Sequence, residues 1–114
     1  MEEHFVPYDE AKTLKELGFD EPCLAYYDLW ERLNNILNHD GDRLCDAPVF
    51  SQAFDWFREK YQYRSYIRQD VWNNTCDVEI ADDDGNGYVT IGSFDNYEEA
   101  KLGCLRKLIE IITV

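Results

Sequence analysis

The spacing of apolar residues changes period near residue 62, and that change commits the chain to a mixed fold. Between Pro48 and Tyr61 the apolar residues Phe50, Ala53, Phe54, Phe57 and Tyr61 recur at i, i+3 or i+4, and i+7, with Trp56 at the edge of the stripe. That spacing puts them on one face of a helix. From residue 63 to 72 the period is two: Ser65, Ile67, Gln69 and Val71 alternate with Arg64, Tyr66, Arg68, Asp70 and Trp72. Cys76, Val78 and Ile80 then alternate with Thr75, Asp77 and Glu79, and residues 87–94 are rich in strand formers. Asn73-Asn74 and the run Asp82 to Gly87 carry turn chemistry, so the spacing predicts a three-stranded antiparallel meander.

Helices are expected on both sides of it. Residues 5–19 read as a short helix: Pro7 suits its first turn, Ala11, Leu14 and Leu17 form a stripe, and Gly18 with Phe19 forms a Schellman-type closure. Leu24, Tyr27, Leu29, Trp30, Leu33, Ile36 and Leu37 match helical spacing and predict a second helix over 23–38, ended by the turn residues 38–42. The last helix starts at Asp95 or Asn96, with Glu98 or Glu99 as the capping-box partner, and buries Ala100, Cys104, Leu105, Leu108, Ile111 and Ile112. The expected fold is α+β in the order α-α-α-β-β-β-α, with helices on one face of the meander. A chain of 114 residues has room for one domain, here 1–114, with residues 1–21 as a helical arm packed on it. No internal repeat stands out.

Composition narrows the partners. With 24 acidic against 11 basic residues the formal charge is −13, which favours solubility and repels nucleic acid and anionic membranes. Aromatics make up 15% of the residues, more than so small a core can hold, and left-over aromatic surface points to a partner. No apolar run reaches the ~20 residues of a membrane helix, and the start lacks the pattern of a signal peptide. The four cysteines include no C-x-x-C pair, so they read as reduced, buried small hydrophobes of a cytoplasmic protein.

Two constellations could carry binding chemistry. Asp82, Asp84 and Asn86 fall at positions 1, 3 and 5 of a calcium-loop pattern with Gly87 at position 6, but position 12 is Ser93 where a bidentate Glu is needed. Weak calcium binding is the most this loop offers; the alternative is a polar hairpin turn, and no other cofactor is indicated. Arg58, Lys60, Arg64 and Arg68, interleaved with Tyr61, Tyr63 and Tyr66, combine cations with stacking rings as single-stranded nucleic acid requires. The order helix, three strands, helix from 48 to 114 also resembles double-stranded-RNA-binding domains. Those domains hold phosphate with lysines at the start of the last helix, where this chain has Asp95-Asn96-Tyr97-Glu98-Glu99. Residues 69–100 contain nine acids and no Lys or Arg, so nucleic acid is a disfavoured partner and local ion pairing is the alternative role of the cations. A two-residue turn at Asn73-Asn74 would set Arg68 opposite Glu79 but also Asp70 opposite Asp77, a conflict best relieved by a shift of register. His4 and His39 have no evident partner, and no nucleophile, phosphate loop or catalytic constellation is visible, so no enzyme activity is expected.

Three stretches carry a family resemblance: Phe5–Cys23 followed by Tyr26-Tyr27, Ala47–Tyr61 and Tyr97–Ile111. Together they resemble a family of short proteins of unassigned function found in bacteriophages and in bacterial genomes with phage-derived genes. The resemblance implies a phage or prophage origin and a bacterial cytoplasm, and brings no active residue. The expected function is that of an acidic accessory protein that binds a host or phage protein, as an inhibitor or nucleic-acid mimic; a small metal-binding or single-stranded nucleic-acid-binding module is the alternative. Trp56 or Tyr66 could also line a homodimer seam.

Overall fold

The computed structural model describes residues 4–35, 43–82 and 88–113, with the backbone alone for residues 43 and 88–91. The element order is α1 (Tyr8–Glu16), β1 (Ala25–Asp28), β2 (Leu33–Asn35), β3 (Arg43–Ala47), α2 (Phe50–Tyr61), β4 (Tyr63–Asp70), β5 (Thr75–Asp82), β6 (Tyr88–Phe94) and α3 (Tyr97–Thr113). The chain forms two compact units, Met1–Ala53 and Phe54–Val114, with the boundary inside α2.

In the first unit α1 begins after Pro7, whose carbonyl accepts the Ala11 N–H at 2.9 Å. Its closure is the Schellman arrangement expected from Gly18 and Phe19. Gly18 sits at φ 101°, the Phe19 N–H donates to the Leu14 carbonyl at 2.9 Å, and the Gly18 N–H donates to that of Lys15 at 3.1 Å. Behind α1 lies a three-stranded antiparallel sheet in the order β2-β1-β3. Ala25 pairs with Asn35 on one side and Ala47 on the other, and Tyr27 with Leu33 and Cys45. The Tyr27 hydroxyl donates to the Val6 carbonyl at 2.6 Å, and the Lys15 ammonium donates to the Leu44 carbonyl at 2.7 Å.

This sheet overturns the expected order: the chain runs α-β-β-β-α-β-β-β-α, not α-α-α-β-β-β-α. The helix predicted over 23–38 does not form in its described part; residues 36–38 lie outside the described residues. The apolar stripe on which it rested is not buried as a face, since Leu24, Leu29 and Trp30 are all exposed. Instead Ala25, Tyr26, Tyr27 and Asp28 are all buried in the central strand, covered on both faces. Two adjacent aromatics suit such a strand, and tertiary packing overrides a helical spacing that short apolar runs match by chance.

The second unit matches its reading more closely. β4, β5 and β6 form the antiparallel meander, in that order. The inner face carries Cys76, Val78 and Ile80, all buried, beside half-buried Ser65 and Ile67, and α3 lies against the three strands. α3 contributes Ala100, Cys104, Leu105 and Leu108 to this core, and the Asn96 side chain caps it by accepting the Glu99 N–H at 2.9 Å. The Phe94 ring lies over Gly103 so closely that a Cβ there would overlap it. On the outer face Arg64, Tyr66 and Arg68 are exposed.

The β4–β5 register differs from the two-residue turn. Asp70 pairs with Thr75, Arg68 with Asp77 and Tyr66 with Glu79, which leaves the four residues Val71–Asn74 as the loop. A shift of two positions preserves which side chains face inward and separates Asp70 from Asp77. The Arg68–Glu79 ion pair survives as a diagonal contact at 2.9 Å.

Candidate functional site

The four basic residues singled out from the sequence are placed by α2 and β4. Arg58 and Arg64 line one groove of about 400 Å³ with Phe54, Asp55, Ser65 and Tyr66. Arg58 lies 3.3 Å from Asp55 and Arg68 2.9 Å from Glu79. Lys60 stands 5.1 Å from the centre of the Trp56 ring and 5.8 Å from that of Tyr61. Carboxylates and rings of the chain itself thus engage Arg58, Lys60 and Arg68, in keeping with a local role for these cations. Trp56, at the edge of the predicted stripe, is buried against Phe57 and Tyr61.

Asp82 ends β5, while Asp84 and Asn86 lie outside the described residues, as does His39. Among the described residues no group of three or more His, Cys, Asp or Glu side chains is arranged to hold a metal ion. No helix among them is long and apolar enough to cross a membrane. Cys23, Cys45, Cys76 and Cys104 are free and buried. Burial, with Asp46, Glu21 and Cys45 adding to it, pushes the Cys23 thiol up to about 12. Burial likewise pushes Cys104 up to about 11 against the opposing Ser65 hydrogen bond. Such thiols are poor nucleophiles.

The most distinctive surface lies at two hairpin turns, and it was not singled out from the sequence. In the β1–β2 turn the Asp28 carboxylate accepts the Trp30 N–H at 2.9 Å and the Arg32 N–H at 3.0 Å on one oxygen. The other oxygen accepts Arg32 Nε at 3.3 Å and Asn34 Nδ2 at 2.9 Å. Burial works against the Asp28 carboxylate, but the hydrogen bonds from Arg32, Asn34 and Trp30 and the Arg32 charge outweigh it and lower its pKa. In the β4–β5 turn Asp70 accepts the Trp72 N–H at 3.0 Å, the Asn73 N–H at 3.2 Å and Asn73 Nδ2 at 2.9 Å. Its pKa is lowered chiefly by the Asn73 side-chain and backbone hydrogen bonds. Glu31 at φ 61° and Asn74 at φ 54° complete the two turns.

Each turn presents an aliphatic residue followed by tryptophan. Leu29 and Trp30 are 53% and 72% exposed, and Val71 and Trp72 are 83% and 96% exposed. The signal was in the sequence as a repeated tripeptide, Asp28-Leu29-Trp30 and Asp70-Val71-Trp72, too short to register as a repeat. No protein-family model, curated protein or solved structure matches the chain.

Proposed function

We propose that this chain is a phage-derived acidic accessory protein that acts by binding a host protein. The observation that carries the reading is the exposure of large apolar side chains, Trp30 and Trp72 foremost, on a chain of net charge −13. A charge of that size already secures solubility, so exposed tryptophans serve another end, and tryptophan is the residue most enriched at the energetic centres of protein interfaces. The paired cations of Arg58 and Arg68 make the basic strip a weaker candidate for nucleic acid. Mimicry of nucleic acid on the outer face of β4–β6 is also disfavoured, because Arg64 and Arg68 stand exposed on it and Arg68 is paired with Glu79. Affinity capture from bacterial cytosol on the immobilised full chain tests the reading. A discrete protein retained in near-equimolar amount and eluted by competing free chain supports it. Retention of nothing above a blank column, or of nucleic acid alone, defeats it.

A further inference from the structure

Resting on that protein-binding reading, we infer that Leu29-Trp30 and Val71-Trp72 are two copies of one docking element, each built to enter an apolar socket rimmed by Lys and Arg on a partner protein. The two turns use the same device. An aspartate at the end of a strand accepts the N–H of the tryptophan two residues on, and a residue with positive φ then returns the chain to the next strand. In an Asx turn of this kind the backbone beneath the ring is fixed before any partner arrives. A pre-fixed anchor loses less conformational freedom on binding, which raises affinity without new contacts. One such tip could be an accident of turn chemistry. Two, one in each compact unit and each with the order Asp, aliphatic, Trp, share a design that neither sheet requires, since neither tryptophan contributes to a core.

Charge selects the partner. Two copies of a chain carrying −13 repel one another, as do the chain and nucleic acid or an anionic bilayer. A surface whose apolar socket is ringed by basic side chains is complementary both to the ring and to the acidic body around it. The Trp30 ring already takes one cation in this way, with the Arg32 guanidinium 5.1 Å from its centre. The Trp72 tip lies in the segment that holds acids and no Lys or Arg, so there the partner must supply the cation.

The test places the photoreactive residue p-benzoylphenylalanine singly at 30, at 72 and, as a control, at exposed Glu59 on α2 of the full chain expressed in bacteria. Irradiation is followed by mass mapping of adducts. The expected result is adducts from 30 and 72 on partner segments rich in Lys or Arg, with yield falling as salt rises, and none from 59. In parallel, a Trp30→Ala, Trp72→Ala double variant should retain the wild-type melting temperature, because both rings are exposed, yet capture the partner about thirtyfold less well, the effect of losing an interface anchor. Adducts from 59 with none from 30 or 72 would leave protein binding standing and refute the tips. Adducts on acidic or uncharged segments would refute the proposed socket. Absence of adducts at all three positions would count against both readings.

Discussion

The two hairpins rest on the same residue, yet they spend it differently. Asp28 is buried and accepts four hydrogen bonds, two of them from the side chains of Arg32 and Asn34 that reach across the turn. Asp70 is half-buried and accepts three, all from the two residues after Val71. The strands differ in the same sense: β1 is buried at every position, while β4 alternates between half-buried and exposed side chains for most of its length. The strand that opens the first hairpin is therefore covered on both faces, and the strand that opens the second on one face only. One turn chemistry serves both because its hydrogen bonds are local and indifferent to what covers the strands.

The sharpest way to break this contrast is to truncate one tyrosine in each hairpin. Tyr26→Ala in β1, where the side chain is 2% exposed, should cost about 3–5 kcal/mol, as for a buried aromatic. Tyr66→Ala in β4, 44% exposed, should stay within about 0.5 kcal/mol of wild type. Urea denaturation measures both, and equal costs would mean that β4 is packed as deeply as β1.

A smaller effect separates the aspartates. Both folded pKa values lie below the ordinary 3.8, so each carboxylate contributes stability that is complete above that pH and is lost as pH falls through the lower folded value. The backbone amides of Trp30 and Trp72 should titrate with midpoints below pH 3.8, as NMR titration would show. Asp28→Ala should lower the melting temperature more than Asp70→Ala, because it removes four hydrogen bonds to a buried carboxylate where Asp70 makes three at the surface. The smallest effect is at a helix start. Asn96→Ala should cost about 1 kcal/mol, the loss of one cap, whereas α1 begins at Pro7 with no side-chain cap to lose.

The contrast also explains which parts of the fold were legible. Alternation announces a strand only when one face is covered and the other wet, the situation of Arg64 to Gln69 and of Thr75 to Ile80. A strand covered on both faces, such as Ala25–Asp28, shows no alternation, and its neighbours Leu24, Leu29 and Trp30 completed a spurious helical spacing. β3 follows a run of turn residues with only five of its own, too few for a period to emerge. The helix ends were readable because caps are local: Gly18, Phe19 and Asn96 need only their own turn of chain. The basic strip was found as a cluster of types, but its pairing with Asp55 and Glu79 depends on helical spacing in one case and strand register in the other. The tryptophan tips were missed because exposure cannot be read from one residue's identity, and an apolar side chain defaults to the core.

The Phe94 ring over Gly103 has a consequence outside folding energetics. Because a side chain at 103 would collide with that ring, a larger residue can arrive there only after the aromatic at 94 has yielded. The order in which the two positions can change is therefore fixed, 94 first and 103 second.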